Sequence, residues 1–199
     1  MRSESTRDRL INEAVGLFAR QGYRGTSVAE IEAAAGLKPG NGSLYTHFHS
    51  KEELLGAAME RMVASTRAAY PFLELLPLGD LRAELTLLGR AFLEVMNQWR
   101  DYLLIAMKEQ ERFPEMFDEV RNTQREGFVW FADWLRTKTK ADGSDLDCDA
   151  LAVITLGGLS NYWQQLTLSG KPMLDVDTER YVDGWVDCLM RVLQPQPAV

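Results

Sequence analysis

The chain has 199 residues, 46% of them hydrophobic and 26% charged, with a net charge of −7. That balance suits a folded globular protein and excludes disordered, collagen-like and disulfide-dense classes. No run of 18 or more apolar residues occurs, and the charged start MRSESTRDRL lacks the apolar core of a secretion signal, so no membrane span and a cytoplasmic location are expected.

Residues 6–21 read as a first helix, with Leu10, Ala14, Leu17 and Phe18 as its apolar stripe and Gly22 closing it. Ser27 followed by Glu30 has capping-box spacing, so a second helix can begin there. Val28, Ile31, Ala34 and Ala35 recur at helical spacing on it. Gly36 can take the left-handed conformation that ends that helix, and Leu37 can pack beneath the turn. Pro39 can open a short third helix, where a missing N–H costs nothing. Leu44 and Phe48, four apart, would form its inner face. Ser50 with Glu53 is a second capping box, and the helix it opens meets no breaker before Pro71, a length of about 30 Å.

Two short helices joined by a glycine turn, the second with a polar outer face, form a helix-turn-helix pattern. The second helix is small enough to enter a DNA major groove. Its exposed candidates are Lys38, Asn41, Ser43, Tyr45, Thr46 and His47, and Gly42 would let backbone approach the duplex closely. Thr26, Ser27, Tyr45 and Lys51 are candidates for phosphate contacts, which fix register rather than read sequence.

Beyond Pro71 and Pro77, Asp80 can cap a helix whose apolar residues run from Leu81 and Leu85 to Met96 and Trp99. Further helices are expected over residues 101–112, 114–140, 147–169 and 177–193. The polar stretch 141–147 and the tail QPQPAV are read as a loop and a disordered end. No strand-like alternation appears. The expected fold is all-α with about nine helices, divided into a three-helix reader (1–52), a helical body (53–193) and a tail (194–199).

Charge supports that division. Residues 1–55 hold seven basic and seven acidic residues, whereas 56–199 hold fifteen and twenty-two. An acidic body leaves the N-terminal part as the face able to approach DNA. Cys148 and Cys188 are forty apart and read as reduced thiols, buried or half-buried, with a redox-sensing pair as the alternative. His47 and His49 are the only histidines and supply too few ligands for a metal site. No catalytic motif is present, so neither an enzyme nor a cofactor is expected.

The segment AAAGLKPGNGSLYTHFHSKEEL, preceded by GYRGTSVAEI, resembles the DNA-binding domain of the tetracycline-repressor (TetR) family of bacterial transcriptional regulators. The matching elements are Gly22-Tyr23 with Thr26-Ser27, Ala35-Gly36-Leu37, Leu44-Tyr45 with Phe48, and Ser50-Lys51-Glu52-Glu53-Leu54. Between Gly36 and Leu44 the chain has seven residues, two more than the common family pattern. The resemblance implies a homodimer, joined through its last two helices, that binds a palindromic DNA operator and releases it when a small effector enters the body.

The crowding of large soft side chains over residues 92–134 reads either as a well-filled core or as a cavity for an apolar or aromatic ligand. Trp99, Tyr102, Phe128, Phe131 and Tyr162 are the expected lining. Small residues such as Ala150 and Gly157, and the apolar face of Val182, Trp185, Val186, Leu189 and Val192, suit either intrachain packing or a second subunit. The resulting expectation is a ligand-responsive DNA-binding repressor. A helical protein-interaction module whose helix-turn-helix does not bind DNA is the alternative.

Overall fold

The computed structural model describes residues 5–70, 73, 76, 78–139 and 146–194. The expected breakers Pro71 and Pro77, most of the 141–147 loop and all but Gln194 of the tail lie outside those residues. The described residues form eight α-helices: α1 (Thr6–Gly25), α2 (Val28–Ala34), α3 (Lys51–Ala69), α4 (Leu81–Gln98), α5 (Arg100–Glu109), α6 (Pro114–Thr139), α7 (Cys148–Ser169) and α8 (Thr178–Leu193). No strand occurs among them. None of the helices is long and apolar enough to cross a membrane.

Capping explains most of the boundaries. Asp80, Asp147 and Asp177 each accept a backbone N–H from the first turn of α4, α7 and α8, satisfying donors that have no partner inside a helix. Ser50 does the same for Glu53 at the start of α3. Gly170 ends α7 in the left-handed conformation, at φ 69°.

The ninth expected helix is different. Residues 39–42 form turns, and only Ser43–Thr46 is helical, as a single 3-10 turn. Pro39 therefore does not open an α-helix. Gly40 and Gly42 take φ of 72° and 73°, which breaks helical continuity before Leu44.

The chain divides into two compact units. The first comprises Met1–Ala69 and Trp99–Thr123, the second Tyr70–Gln98 and Gln124–Val199. Packing thus places α5 and the start of α6 with the N-terminal helices. In the first unit α1 packs on α2, α3 and α5. Leu10, Phe18, Ile31, Leu44, Phe48 and Leu54 are fully or almost fully buried there. Two short helices alone bury too little to be stable, and α1 and α3 supply the missing surface.

In the second unit α4 packs on α7 and α8. The expected stripe on α4 is partly displaced: Leu85, Gly89 and Leu93 are buried, whereas Val95 is exposed. Gly89 explains the shift. A Cβ there would lie 3.3 Å from the Trp185 ring, so the missing side chain is what lets α8 approach. The face of Val182, Trp185, Val186 and Leu189 is buried within its own unit, and only Val192 of that set is exposed. Trp185 also donates its indole N–H to the Thr155 carbonyl at 3.0 Å. The outward face of α7 is different. Val153 and Ile154 are 60% and 70% exposed, beside the small Ala150 and Gly157. Cys148 is buried, but Cys188 is exposed rather than half-buried.

Candidate nucleic-acid interface

The reader is built outward from α2. Ser27 and Glu30 make both halves of the capping box: Glu30 N–H donates to the Ser27 hydroxyl at 3.2 Å, and Ser27 N–H donates to the Glu30 carboxylate at 2.7 Å. The backbone and hydroxyl hydrogen bonds from Ser27 hold the Glu30 carboxyl below its usual range. At the other end of α2, Leu37 N–H bonds the Glu32 carbonyl and Gly36 N–H bonds the Ala33 carbonyl, at 2.8 and 3.0 Å. That pair of bonds is a Schellman motif, with Gly36 at φ 71°. Gly36→Ala is expected to cost about 1 kcal/mol, because alanine resists positive φ. Open space surrounds the position, so no clash adds to the strain. Urea unfolding measures the loss.

The long turn that follows is organised by a residue that sequence reading passed over. Glu32 is fully buried, and its carboxylate accepts Gly40 N–H at 2.8 Å and Leu44 N–H at 2.9 Å. It spans the two left-handed glycines and fixes where the 3-10 turn starts. Leu44 and Phe48 then anchor that turn in the core, and the Phe48 N–H returns to the Leu44 carbonyl at 3.0 Å. The pattern carries a signal for this. A seven-residue turn with two glycines exposes backbone donors, and an acidic residue one turn upstream can meet them.

With the turn anchored, its outer face projects. Lys38, Asn41, Thr46 and His47 are exposed, Gly42 and Ser43 are half-buried, and Tyr45 is 56% exposed. Thr46 turns its hydroxyl onto the Ser43 carbonyl at 2.6 Å. Ser27 is exposed at the neighbouring helix start.

Two of the expected phosphate contacts also make bonds within the chain. Thr26 is only 1% exposed, and its hydroxyl donates to the Gly22 carbonyl at 2.9 Å. Lys51 is half-buried, with its ammonium donating to the Tyr23 and Thr26 carbonyls, both at 2.6 Å, and lying 4.2 Å from the Tyr23 ring centre. Burial, with the nearby Arg112 charge, lowers the lysine pKa. Both side chains close the turn from α1 to α2.

The five expected ligand residues fall into separate packing groups. Trp99 and Tyr102 meet edge to face at 5.2 Å in the first unit, and the Tyr102 hydroxyl accepts a bond from Arg61 at 2.8 Å. In the second unit Phe131 stacks with Trp134 and Trp185, Tyr162 stacks with Tyr181 at 4.1 Å, and Phe128 is half-buried. Within the first unit, α3 and α6 also form a cleft of about 230 Å³, lined by Met59, Val63, Met116 and Val120 with Glu60 and Glu119 among its acidic residues. None of the five lines it. Among the described residues no group of three or more His, Cys, Asp or Glu gathers as a metal would need.

Residues 10–58 match the family model of the tetR family of bacterial regulatory proteins. The transcriptional repressor KstR2 of Mycolicibacterium smegmatis is 31% identical over 151 residues, spanning 73% of this chain and 71% of that one. The chain belongs to the TetR family. The transcriptional regulator TcmR of Streptomyces glaucescens is 33% identical over 155 residues, which cover 72% of this chain and 63% of TcmR. Among solved structures, the ketosteroid transcriptional regulator KstR2 of Mycobacterium tuberculosis aligns over 96% of this chain and 95% of its own, with TM-score 0.67 and 23% identity. A TetR-like regulator from Rhodococcus sp. RHA1 aligns over 96% and 97%, with TM-score 0.71 and 18% identity. At that identity the structural likeness speaks to fold alone. The family match places this protein among helix-turn-helix DNA-binding regulators of transcription, not among enzymes.

Proposed function

We propose that this TetR-family protein is a dimeric repressor that binds a palindromic operator in the cytoplasm and is released by a small apolar or aromatic effector. Residues 1–52 act as the reader and 53–193 as the effector-binding and dimerising body. The observation that carries the reading is the outer face of residues 38–47, exposed while Leu44, Phe48 and Glu32 hold its inner side. Lys38 and His47 supply charge or donors to the backbone and the Tyr45 hydroxyl a phosphate contact, whereas Asn41, Ser43 and Thr46 are short enough to meet base edges. Gly42 keeps the backbone open beside them.

The outward face of α7 supports a dimer, since Val153 and Ile154 form an apolar stripe beside small residues. Two readers related by a twofold axis fit half-sites about 34–36 Å apart, or a multiple of that. Trp99, Tyr102, Phe128, Phe131 and Tyr162 remain the proposed effector contacts. An apolar effector accords with the ketosteroid regulator among the structural neighbours.

A duplex selected by the wild-type protein from a random pool tests the reader. Asn41→Ala and Thr46→Ala are expected to lower affinity for the selected sequence by about tenfold and to relax preference at one base pair each. Equal losses on every sequence variant refute base reading at those positions. Sedimentation at micromolar concentration tests the dimer, and a monomer there overturns it.

A further inference from the structure

The break in α1 at Gly22 leaves a helical hydrogen bond unmade, and two neighbouring residues of α5 occupy its two ends. Gly22 has φ 79° and ψ 163°, far from helical values. In an unbroken helix the Tyr23 N–H would donate to the Ala19 carbonyl, four residues back. Here the Tyr23 N–H donates to the Glu109 carboxylate at 3.0 Å, and the Ala19 carbonyl accepts the Lys108 ammonium at 2.7 Å. A Cβ on Gly22 would stand 3.6 Å from the same Glu109 oxygen.

The rest of the junction is equally committed. Phe113, just beyond α5, meets the Tyr23 ring edge to face at 5.0 Å, and the Arg112 guanidinium lies over both rings. Lys51 at the start of α3 holds the Tyr23 and Thr26 carbonyls from the other side. Burial foremost, with Glu52 and Glu109 nearby, raises the Tyr23 pKa, so the ring is neutral. Every one of these groups belongs to the first compact unit.

We propose that Lys108 and Glu109 are positioning residues for DNA reading: they splint the break in α1 and set the direction in which the helix-turn-helix leaves it. Neither touches DNA. The splint acts because the chain runs from Tyr23 through Thr26 directly into the capping box of α2, with no slack between them. The turn at residues 110–113 is then the element whose displacement is felt at the reader. This rests on the DNA-reading role proposed above, but the first arm of its test does not.

That arm is hydrogen exchange on the full chain. Glu109→Ala is expected to speed exchange over residues 23–34 by about tenfold, leaving α7 and α8 unchanged. Glu109→Gln keeps an acceptor oxygen and restores most of the protection. Unchanged exchange at residues 23–34 overturns the proposal. So does an equal rise throughout the chain, which reduces Glu109 to general stability.

The second arm measures affinity for the duplex selected by the wild-type protein, at several salt concentrations. Glu109→Ala and Lys108→Met are expected to weaken binding about tenfold with the salt slope unchanged, since no phosphate contact is removed. A slope lower by about one for Lys108→Met marks a phosphate ligand and overturns its splinting role. Faster exchange with unaltered affinity overturns the link to reading. If the wild-type protein selects no duplex, the DNA-binding role fails and the exchange pattern alone decides the splint.

Discussion

Glu32→Ala is expected to destabilise the reader by about 2–6 kcal/mol and to abolish DNA binding at moderate salt. The carboxylate is fully buried and accepts two backbone donors, from Gly40 and Leu44. Alanine strands both N–H groups away from water, and each buried, unpaired donor costs about 1–3 kcal/mol. The bonds lost are charge-assisted, which puts the effect above that of a neutral pair. The gain in helix propensity cannot offset this, since alanine is better than glutamate by only a few tenths of a kcal/mol in a helix interior. The functional loss follows from geometry: without the carboxylate nothing fixes the start of the 3-10 turn, and the exposed face of residues 41–47 loses its register. Glu32→Gln, with one acceptor oxygen for two donors, should fall between. Urea unfolding and a binding isotherm measure both effects. An alanine variant within about 0.5 kcal/mol of wild type would show that solvent reaches those donors.

The second large effect belongs to Glu84. This carboxylate is 1% exposed, accepts the N–H groups of Leu78 and Gly79 at 2.7 and 3.0 Å, and pairs with Lys138 from α6. Lys138 also lies over the Trp134 ring. Burial pushes the carboxyl pKa up, but Lys138 and the two backbone donors outweigh it and hold the pKa below the ordinary value. Removing one member of such a pair costs about 3–5 kcal/mol when both are buried. Lys138 keeps some contact with water, so Glu84→Ala is expected near the lower end.

Its pH dependence has a definite sign. The folded pKa is depressed, so the contribution is complete above the unfolded carboxylate value of about 4.3. As pH falls below that value the unfolded chain takes up a proton that the folded one refuses, and stability declines. The contribution is gone once pH passes below the folded value. The stability gap between wild type and Glu84→Gln should therefore narrow on acidification from neutral pH. Denaturant midpoints taken at a series of pH values measure it, and a constant gap would remove the ionised pair from the account.

These residues mark where local pattern stops being informative. The Ser27–Glu30 box, the left-handed Gly36 and the Asp80 cap of α4 were all legible, because each is decided by neighbours within four or five positions. Leu44 and Phe48 were legible as a buried pair for the same reason. The bonds that Thr26 and Lys51 make within the chain were not. The kink at Gly22 turns carbonyls toward their polar ends, and a buried carbonyl needs a donor. The roles of Glu84 and Glu32 were not legible either, since a carboxylate at helical spacing says nothing about the backbone donors that will surround it. Nothing near Gly89 in the sequence marks it as the place where Trp185 comes close.

The order of the helices, most of their starts and the helix-turn-helix pattern were determined by the sequence alone, because hydrophobic period, caps and turn glycines act over a few residues. The tertiary structure decided which polar groups are buried and what they hold. It made the last short helix a 3-10 turn fixed by Glu32, and it gave the break in α1 to Lys108 and Glu109, more than eighty residues away. Such assignments depend on which unsatisfied backbone groups meet in space, and no periodicity along the chain carries that information.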